Sequence, residues 1–290
     1  MKILAVTVVF NPSAELLLRS VASYAGSVDR VLVWRNSPLD DGLEEKLREL
    51  GCALAGDGSN AGISHALNAA WREAVSGGFD ALLTMDQDSV WHGFGDYLAA
   101  IIAPDAPEGF YSPVICQGAD FEGGSMPGRG LVPGAPEGNG LDASVYSAVD
   151  TAFTSGMLIP LKVLERVGGW DEEFLVDGVD NEFCLHALSL GIRCWKCGAG
   201  RLEHQLGRVE FKRFLGMRFR VYNYPPERLY GIYRNNLIAI KRYPEVSGSF
   251  RRQFLRGWAL RMPVRILLGE SNRSAKFRTI LRGVRAARKK

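Results

Sequence analysis

Ala81-Leu82-Leu83-Thr84-Met85-Asp86-Gln87-Asp88-Ser89 decides how the rest of the chain is read. Ala81–Met85 is a short apolar run of the length of a buried strand. It ends on two carboxylates at i and i+2, Asp86 and Asp88. Such a pair at a strand's end projects into a cleft and can hold a hard divalent cation. A cation there can bridge diphosphate oxygens and neutralise charge on a departing group. A bare D-x-D is also an ordinary solvated turn, so the surrounding pattern has to choose between the two.

Upstream, strand-like runs alternate with helical ones. Ile3–Phe10, Arg30–Trp34 and Cys52–Ala55 read as strands, and Ala14–Tyr24, Gly42–Leu50 and Gly62–Val75 as helices, the last with Ser59 or Asn60 as its cap. This order means βαβ units and a mixed, mostly parallel α/β sheet flanked by helices. Ligands in such sheets bind at the carboxyl ends of the strands. Asn11, Asn36 and Asp86 fall there by position alone. The apolar start at Met1–Phe10 stops at Asn11-Pro12 without a small-residue cleavage site, so a buried strand fits better than a signal peptide. No stretch is long enough to span a bilayer.

Downstream, Gln117–Gly140 holds eight glycines and three prolines, too many for regular structure. A loop over a site and a surface insertion both fit. Ala148–Pro160 reads as strand-like, Leu161–Val167 as a helix, and a further helix starts near Asn181. Before it lies a second acidic cluster, Trp170 to Glu182, in which Asp180 sits where the helix begins and Asp177 one turn earlier. A carboxylate at that point can be a helix cap or a general base facing an attacking hydroxyl. His204 follows a strand that begins near Cys194 and can add an imidazole to a carboxylate pair. The five cysteines are odd in number and scattered, which points to reduced core thiols, and Cys194-Trp-Lys-Cys197 has no second C-x-x-C to support a zinc site.

Composition is that of an ordinary globular chain, with 47% hydrophobic and 23% charged residues among 290. Charge is uneven. Residues 241–290 carry 15 Lys/Arg against Glu245 and Glu270, a net +13, while the preceding 240 residues carry −10. Phe250, Phe254, Trp258, Met262 and Ile266 recur every four residues, along one side of a helix that Pro263 is expected to kink. After a break at Gly269–Asn272 a second amphipathic pattern includes Phe277, Ile280, Leu281 and Val284. These apolar sides either pack on the rest of the protein or enter a membrane interface beside the arginines. The interleaved apolar residues favour an anionic membrane surface over nucleic acid, and no nucleic-acid partner is expected.

Seven segments in order resemble the family 2 inverting glycosyltransferases of the GT-A fold, most closely their bacterial rhamnosyltransferase branch. They are Val6-Thr7-Val8-Val9-Phe10-Asn11-Pro12, Asn60-Ala61-Gly62-Ile63-Ser64-His65-Ala66-Leu67-Asn68, Asp86-Gln87-Asp88-Ser89, Thr154-Ser155-Gly156, Trp170–Leu185, His204-Gln205-Leu206-Gly207 and Tyr230-Gly231-Ile232-Tyr233-Arg234-Asn235. The resemblance covers about residues 3–240. It implies a catalytic domain over 1–240, with a nucleotide-sugar half to about 115 and an acceptor half over about 141–240, followed by a basic helical extension, 241–290.

The same resemblance implies roles. Thr7, Phe10, Asn11 and Asn36 line the nucleoside pocket, and Asp57 and Asn60 face base or ribose. Asp86 contacts ribose or metal, while Asp88 and His204 complete a Mg²⁺ or Mn²⁺ site. Thr154, Ser155 and Gly156 lie by the donor sugar and acceptor. Asp180 is the base, with Asp177 its rival. Tyr233 and Arg234 hold the diphosphate. Two departures stand out. Arg35 precedes Asn36-Ser37 where relatives often carry an acid that binds the base, and Val179-Asp180 replaces Glu-Asp. The implied activity moves L-rhamnose from dTDP-L-rhamnose, or a hexose from a UDP-sugar, to a cell-surface or lipid-linked glycan at the inner face of the cytoplasmic membrane. A catalytically inactive binding module on the same scaffold is the competing class.

Overall fold

The alternation in the first half yields β1 (Ile3–Val9), α1 (Ala14–Ala22), β2 (Arg30–Arg35), α2 (Asp41–Glu49), β3 (Cys52–Ala55), α3 (Ile63–Ser76) and β4 (Ala81–Asp86). In this computed structural model, residues 1–116, 145–204, 210–214 and 216–290 are described; the Gly/Pro-rich run 117–140 lies outside the described residues, as do Gln205, Leu206 and Gly207 of the histidine motif. The chain continues through β5 (Ser89–His92), α4 (Phe94–Ile102), β6 (Phe110–Cys116), β7 (Tyr146–Val149), β8 (Met157–Pro160), α5 (Leu161–Val167), α6 (Val179–Ser189), β9 (Cys194–His204) and the hairpin β10 (Glu210–Phe214) and β11 (Met217–Val221). Then come α7 (Pro226–Arg242), α8 (Gly248–Phe254), a π-helical stretch (Leu255–Arg261), α9 (Met262–Gly269) and α10 (Arg273–Arg288).

The main sheet runs β3-β2-β1-β4-β8-β6-β9-β5, with β7 also on β9. β3, β2, β1 and β4 are parallel, β8 is antiparallel to β4 and β6, and β6 is parallel to β9. This is the GT-A architecture. Side chains alternate across the sheet, and β1 shows it: Leu4 and Val6 face one core, Ile3, Ala5 and Val9 the other. Cys194 and Cys197 divide in the same way, one into each core, so the two thiols cannot share an ion. The connections leave β1 in opposite directions, to β2 on one side and β4 on the other, which places the switch-point crevice at the ends of β1, β2 and β4.

Three expectations change. Ala148–Pro160 is not one strand; it divides into the end of β7 and all of β8 around the turn that holds Thr154 and Ser155. Gly156 turns the chain there with φ +78°, and a Cβ on it would lie 2.7 Å from Pro113. The cap of α3 is Gly62 rather than Ser59 or Asn60, because the Ile63 amide donates instead to the Leu175 carbonyl at 2.7 Å. Pro263 starts α9 without ending the helix, since dihedrals stay helical from Phe254 to Met262 and the wider π turn lies just before the residue that has no N–H.

The basic extension shares a core with α7. Phe254, Met262, Ile266 and Ile280 pack with Leu229, Ile232 and Tyr233, so the four-residue stripe faces inward. α10 returns along α7, with Gly283 so close that a Cβ would meet the Tyr230 carbonyl at 2.9 Å. A buried ion pair, Lys276 Nζ to Glu270 Oε2 at 2.7 Å, fixes the intervening turn, and Glu270 also accepts from the amides of Tyr222 and Asn223. The expected boundary at 240 falls inside α7.

One seam joins the two halves. Asn68 on α3 donates to the Trp170 carbonyl at 2.8 Å and accepts from the Trp170 amide at 2.9 Å. Ser64, one turn earlier, donates to the Phe174 carbonyl at 2.6 Å. Gly169 is obligatory beside them, because its φ is +82° and a Cβ would lie 2.6 Å from Asn68 Oδ1. Asn68→Ala leaves a buried N–H and a buried C=O without partners, so a loss of about 2–4 kcal/mol is expected in urea unfolding, against a small change for the exposed Ser76→Ala.

Candidate active site

The end of β4 and the end of β9 meet through β5. Ser89 pairs with His204 in the antiparallel register, which returns His204 to the Asp86–Asp88 turn across 115 residues of chain. His204 Nδ1 lies 3.9 Å from Asp86 Oδ2 and 3.6 Å from Asp88 Oδ1, and one ligand atom from each of the three falls within 4.8 Å of the others. A cation with bonds of about 2.1 Å separates its donors by about 3 Å when adjacent and about 4.2 Å when opposite. The two spacings from His204, 3.6 and 3.9 Å, fall within that range. Two carboxylates and an imidazole suit Mn²⁺, and the carboxylates suit Mg²⁺.

Hydroxyl groups hold this cluster from below. The Asp86 amide donates to Ser155 Oγ at 3.1 Å, Ser155 donates to Ser89 Oγ at 2.8 Å, and Ser89 Oγ lies 2.7 Å from His204 Nδ1. Ser89 meets the same ring nitrogen that faces the carboxylates, so it holds the imidazole beside them and would give that nitrogen up to a cation bound there. Ser155 is buried, so its part is to fix Asp86 and Ser89. The Thr154 carbonyl accepts from Thr84 at 2.5 Å, and the Gly156 carbonyl from Tyr97 at 3.0 Å. Ser89 is the residue of this chain that the motif reading left without a role.

The nucleoside side divides into open and closed groups. Phe10 is half exposed at the crevice, its amide and carbonyl tied to the Gln87 side chain at 2.7 and 3.2 Å. Asn11 adopts φ +45° and its amide donates to Ser37 Oγ at 2.7 Å. Asp57 and Asn60 are exposed on the loop before α3; Ser59 hydrogen bonds hold the Asp57 carboxyl below its ordinary range. Asn36 is buried and its amide is already occupied, donating to the Gly62 carbonyl and accepting from Trp34. Thr7 is turned fully inward, its hydroxyl 2.5 Å from that of Tyr24, because its register in β1 points it into the core with Tyr24. Arg35 is held by Glu44 at 2.5 Å and the Gly56 carbonyl at 2.7 Å, so it lies over the loop that carries Asp57.

Asp177 and Asp180 differ in their partners. Asp177 accepts from Arg228 Nε at 3.1 Å, and Arg228 lies over the Tyr224 ring at 5.0 Å. Asp180, in the first turn of α6, accepts from the Asn181 amide at 2.9 Å, and among the described residues no cation is paired with it. Removal from bulk water raises its pKa to about 6, with smaller contributions from the charges of Asp177 and Asp86. Burial likewise raises Asp86, assisted by Asp88 and opposed by His204 and Arg228. Asp180, Asp177, Asp86 and Arg228 therefore belong to one electrostatic neighbourhood.

Beside it a cavity of about 640 Å³ is lined by Asp177, Arg228, Tyr230, Arg234 and Asn235, among others. Arg234 reaches this wall but is bonded to Glu173 and to Asn235. Tyr233 points the other way: its hydroxyl donates to the Trp258 carbonyl and its ring packs under the C-terminal helices. Arg228, earlier on α7, lines the cavity instead. A basic residue five positions before Tyr233 carried no signal in the motif to single it out.

No protein-family model matches the sequence, and no curated protein does. Solved structures share the fold. GalNAc-T7, solved with UDP, GalNAc and Mn²⁺, superposes with a TM-score of 0.57 at 13% identity over 83% of this chain. This chain spans 47% of that protein. The S. aureus protein TarS, residues 1–349 with UDP-GlcNAc, superposes with a TM-score of 0.59 at 14% identity, covering 99% of this chain and 82% of that one.

The shift of Asp180 sets a pH test. A carboxylate acting as a base must be ionised, so if Asp180 has that role turnover is expected to fall as pH drops through about 6, with any charge compensation at Asp86 moving the limb lower. The sign for stability is opposite to the usual one for a carboxylate. The raised folded pKa means that ionised Asp180 costs stability above about pH 6, and the cost is absent below the unfolded value. Asp180→Asn should therefore melt higher than the parent at pH 8, with the gap closing near pH 4. An unchanged melting temperature at pH 8 would remove the electrostatic account.

Proposed function

We propose that this protein is an inverting glycosyltransferase, moving a sugar from a nucleotide-diphosphate donor to a hydroxyl of a glycan acceptor. The observation that carries the reading is the Asp86–Asp88–His204 cluster and Asp180 in one electrostatic neighbourhood at the strand-end crevice. Asp86, Asp88 and His204 are the residues that would hold Mn²⁺ or Mg²⁺. Bound there, the cation supplies positive charge to the donor diphosphate.

The remaining steps use this chain's own groups. Phe10, Asn11, Asp57 and Asn60 present an open edge to the nucleoside. Arg228 and Arg234 line the cavity, each paired with an acid of the same wall, and would reach the departing diphosphate by exchanging those partners for it. Asp180 takes the acceptor proton. The hydroxyl oxygen forms its bond to the anomeric carbon as the bond to the diphosphate breaks on the opposite face, so configuration inverts. Asp177, neutralised by Arg228, is the less available base. The Thr154–Gly156 turn is assigned to the sugar's side of the cleft.

The donor we propose is dTDP-L-rhamnose, and the acceptor a cell-surface or lipid-linked glycan met at the inner face of the membrane. A UDP-hexose is the second reading, supported by the UDP and UDP-GlcNAc in the structures of the two similar proteins. No helix among the described residues is long and apolar enough to cross a membrane, so attachment is proposed as peripheral.

Nucleotide release across dTDP-rhamnose and UDP-sugars, with Mn²⁺ and with chelator, tests the reading. Release that requires the metal and is lost in Asp88→Ala, which also abolishes Mn²⁺ binding by calorimetry, is the expected result. Donor binding without release for any sugar would favour the inactive module. In Asp180→Asn, donor affinity should stay within about twofold while transfer falls about 100-fold or more; the same pattern in Asp177→Asn alone would reassign the base.

A further inference from the structure

The helix from Gly248 to Gly269 has two apolar sides, and only one of them is used by the fold. Phe254, Met262 and Ile266 point into the core shared with α7 and α10. On the other side Leu255, Leu260, Val264 and Leu267 are 48%, 65%, 53% and 56% exposed, with Leu268 at their end. Single exposed leucines are ordinary. Five large aliphatic residues within one short helical stretch make a patch.

Charge says what covers it. Arg251, Arg252, Arg256 and Arg261 are exposed among these residues, and no acid occurs from Val246 to Gly269. Arginine is common in protein interfaces too, but here arginines and aliphatic residues are interleaved over the whole face without one acid, and a basic face of a single sign matches an anionic leaflet. Lipid headgroups meet the guanidinium groups while the aliphatic tips enter the acyl boundary. The wider extension adds to the attraction, with Arg278, Arg282, Arg285 and Arg288 also exposed.

The face is coupled to the cleft. Trp258 on the same helix stacks on Tyr224 at 6.1 Å, Tyr224 lies beneath Arg228, and Arg228 holds Asp177. We infer that the outward Leu/Val/Arg face of helix 248–269 docks the protein on an anionic lipid leaflet and brings the acceptor rim of the cleft to the headgroup layer. Its purpose rests on the proposed lipid-linked acceptor; the docking itself does not.

The test uses full-length protein with vesicles of phosphatidylcholine alone or mixed with phosphatidylglycerol. Co-sedimentation should require the anionic lipid, weaken in high salt, and fall about tenfold or more in Leu260→Gln/Val264→Gln/Leu267→Gln. Arg256→Gln/Arg261→Gln should remove the preference for anionic over neutral vesicles. Both variants should keep the parent's circular dichroism and its nucleotide release in lipid-free solution. Equal binding to both vesicle types, or undiminished binding by the triple variant, overturns the inference. So does a lipid-free dimer that the triple variant dissolves, since the face would then belong to a second copy. Vesicle binding by a protein that releases no nucleotide would sink the proposed activity and leave the docking face standing.

Discussion

The two hydrogen bonds between Asn68 and the backbone of Trp170 hold the site together. The first half is built from parallel strands whose ends open a crevice. The carboxylates proposed to act on an acceptor come from a segment about 100 residues later in the chain. Nothing in the sheet requires that segment to lie over the crevice, because Trp170 to Gly178 belongs to no strand. What fixes it is the first half of α3, through Asn68, Ser64 and the Ile63 amide, each bonded to consecutive parts of the acidic segment. An unpaired buried amide or carbonyl is expensive, so slippage of the segment along α3 would break several such bonds at once. The position of Asp177 and Asp180 is inherited from that register.

The opposite wall is held by a second device, the hydroxyl series from the Asp86 amide through Ser155 and Ser89 to His204. It joins β4, the turn before β8, β5 and β9, elements from both halves. A cluster of two acids and an imidazole repels or attracts according to protonation, and its geometry would wander if carried on loops alone. Here Asp86 ends a strand, Ser89 begins one and His204 ends another, so backbone ladders set their spacing before any ligand does.

Much of this was legible in the sequence. The strand leading to Asp86, the alternation before it, and the helices from Leu161 and from near Asn181, which in the structure begins at Val179, follow from periodicity, and the distant His204 was placed with the carboxylates by motif order. What escaped was orientation. Thr7 sits in a motif strand, yet β1 is buried on both faces, so its hydroxyl meets that of Tyr24 rather than the crevice. Tyr233 and Arg228 lie on the same helix in different directions, and the motif named the one that faces inward. Helix caps failed for a related reason: the partner of the Ile63 amide is a carbonyl 112 residues away, which no local signature encodes. The C-terminal helix was read as having one apolar side because a repeat of four tracks a single stripe. The leucines outside that stripe were invisible to the same pattern.

The balance of charge at the cleft closes the physical account. Asp86, Asp88, Asp177 and Asp180 face a common space, and the arginines nearby are largely committed: Arg234 to Glu173, Arg242 to Asp171 and Glu173, Arg228 to Asp177. Carboxylates gathered out of bulk water raise one another's pKa, and desolvation adds to it. The shifts of Asp86 and Asp180 express chiefly their removal from bulk water, with the neighbouring carboxylates adding a smaller part. A dication between Asp86, Asp88 and His204 would relieve it on one side while leaving Asp180 unpaired on the other. A base benefits from that asymmetry, because a carboxylate without a cationic partner holds a proton more tightly than a paired one. Burial raises both carboxyls, and Arg228 opposes that rise at Asp177 alone, so a single guanidinium separates two acids one helical turn apart in sequence.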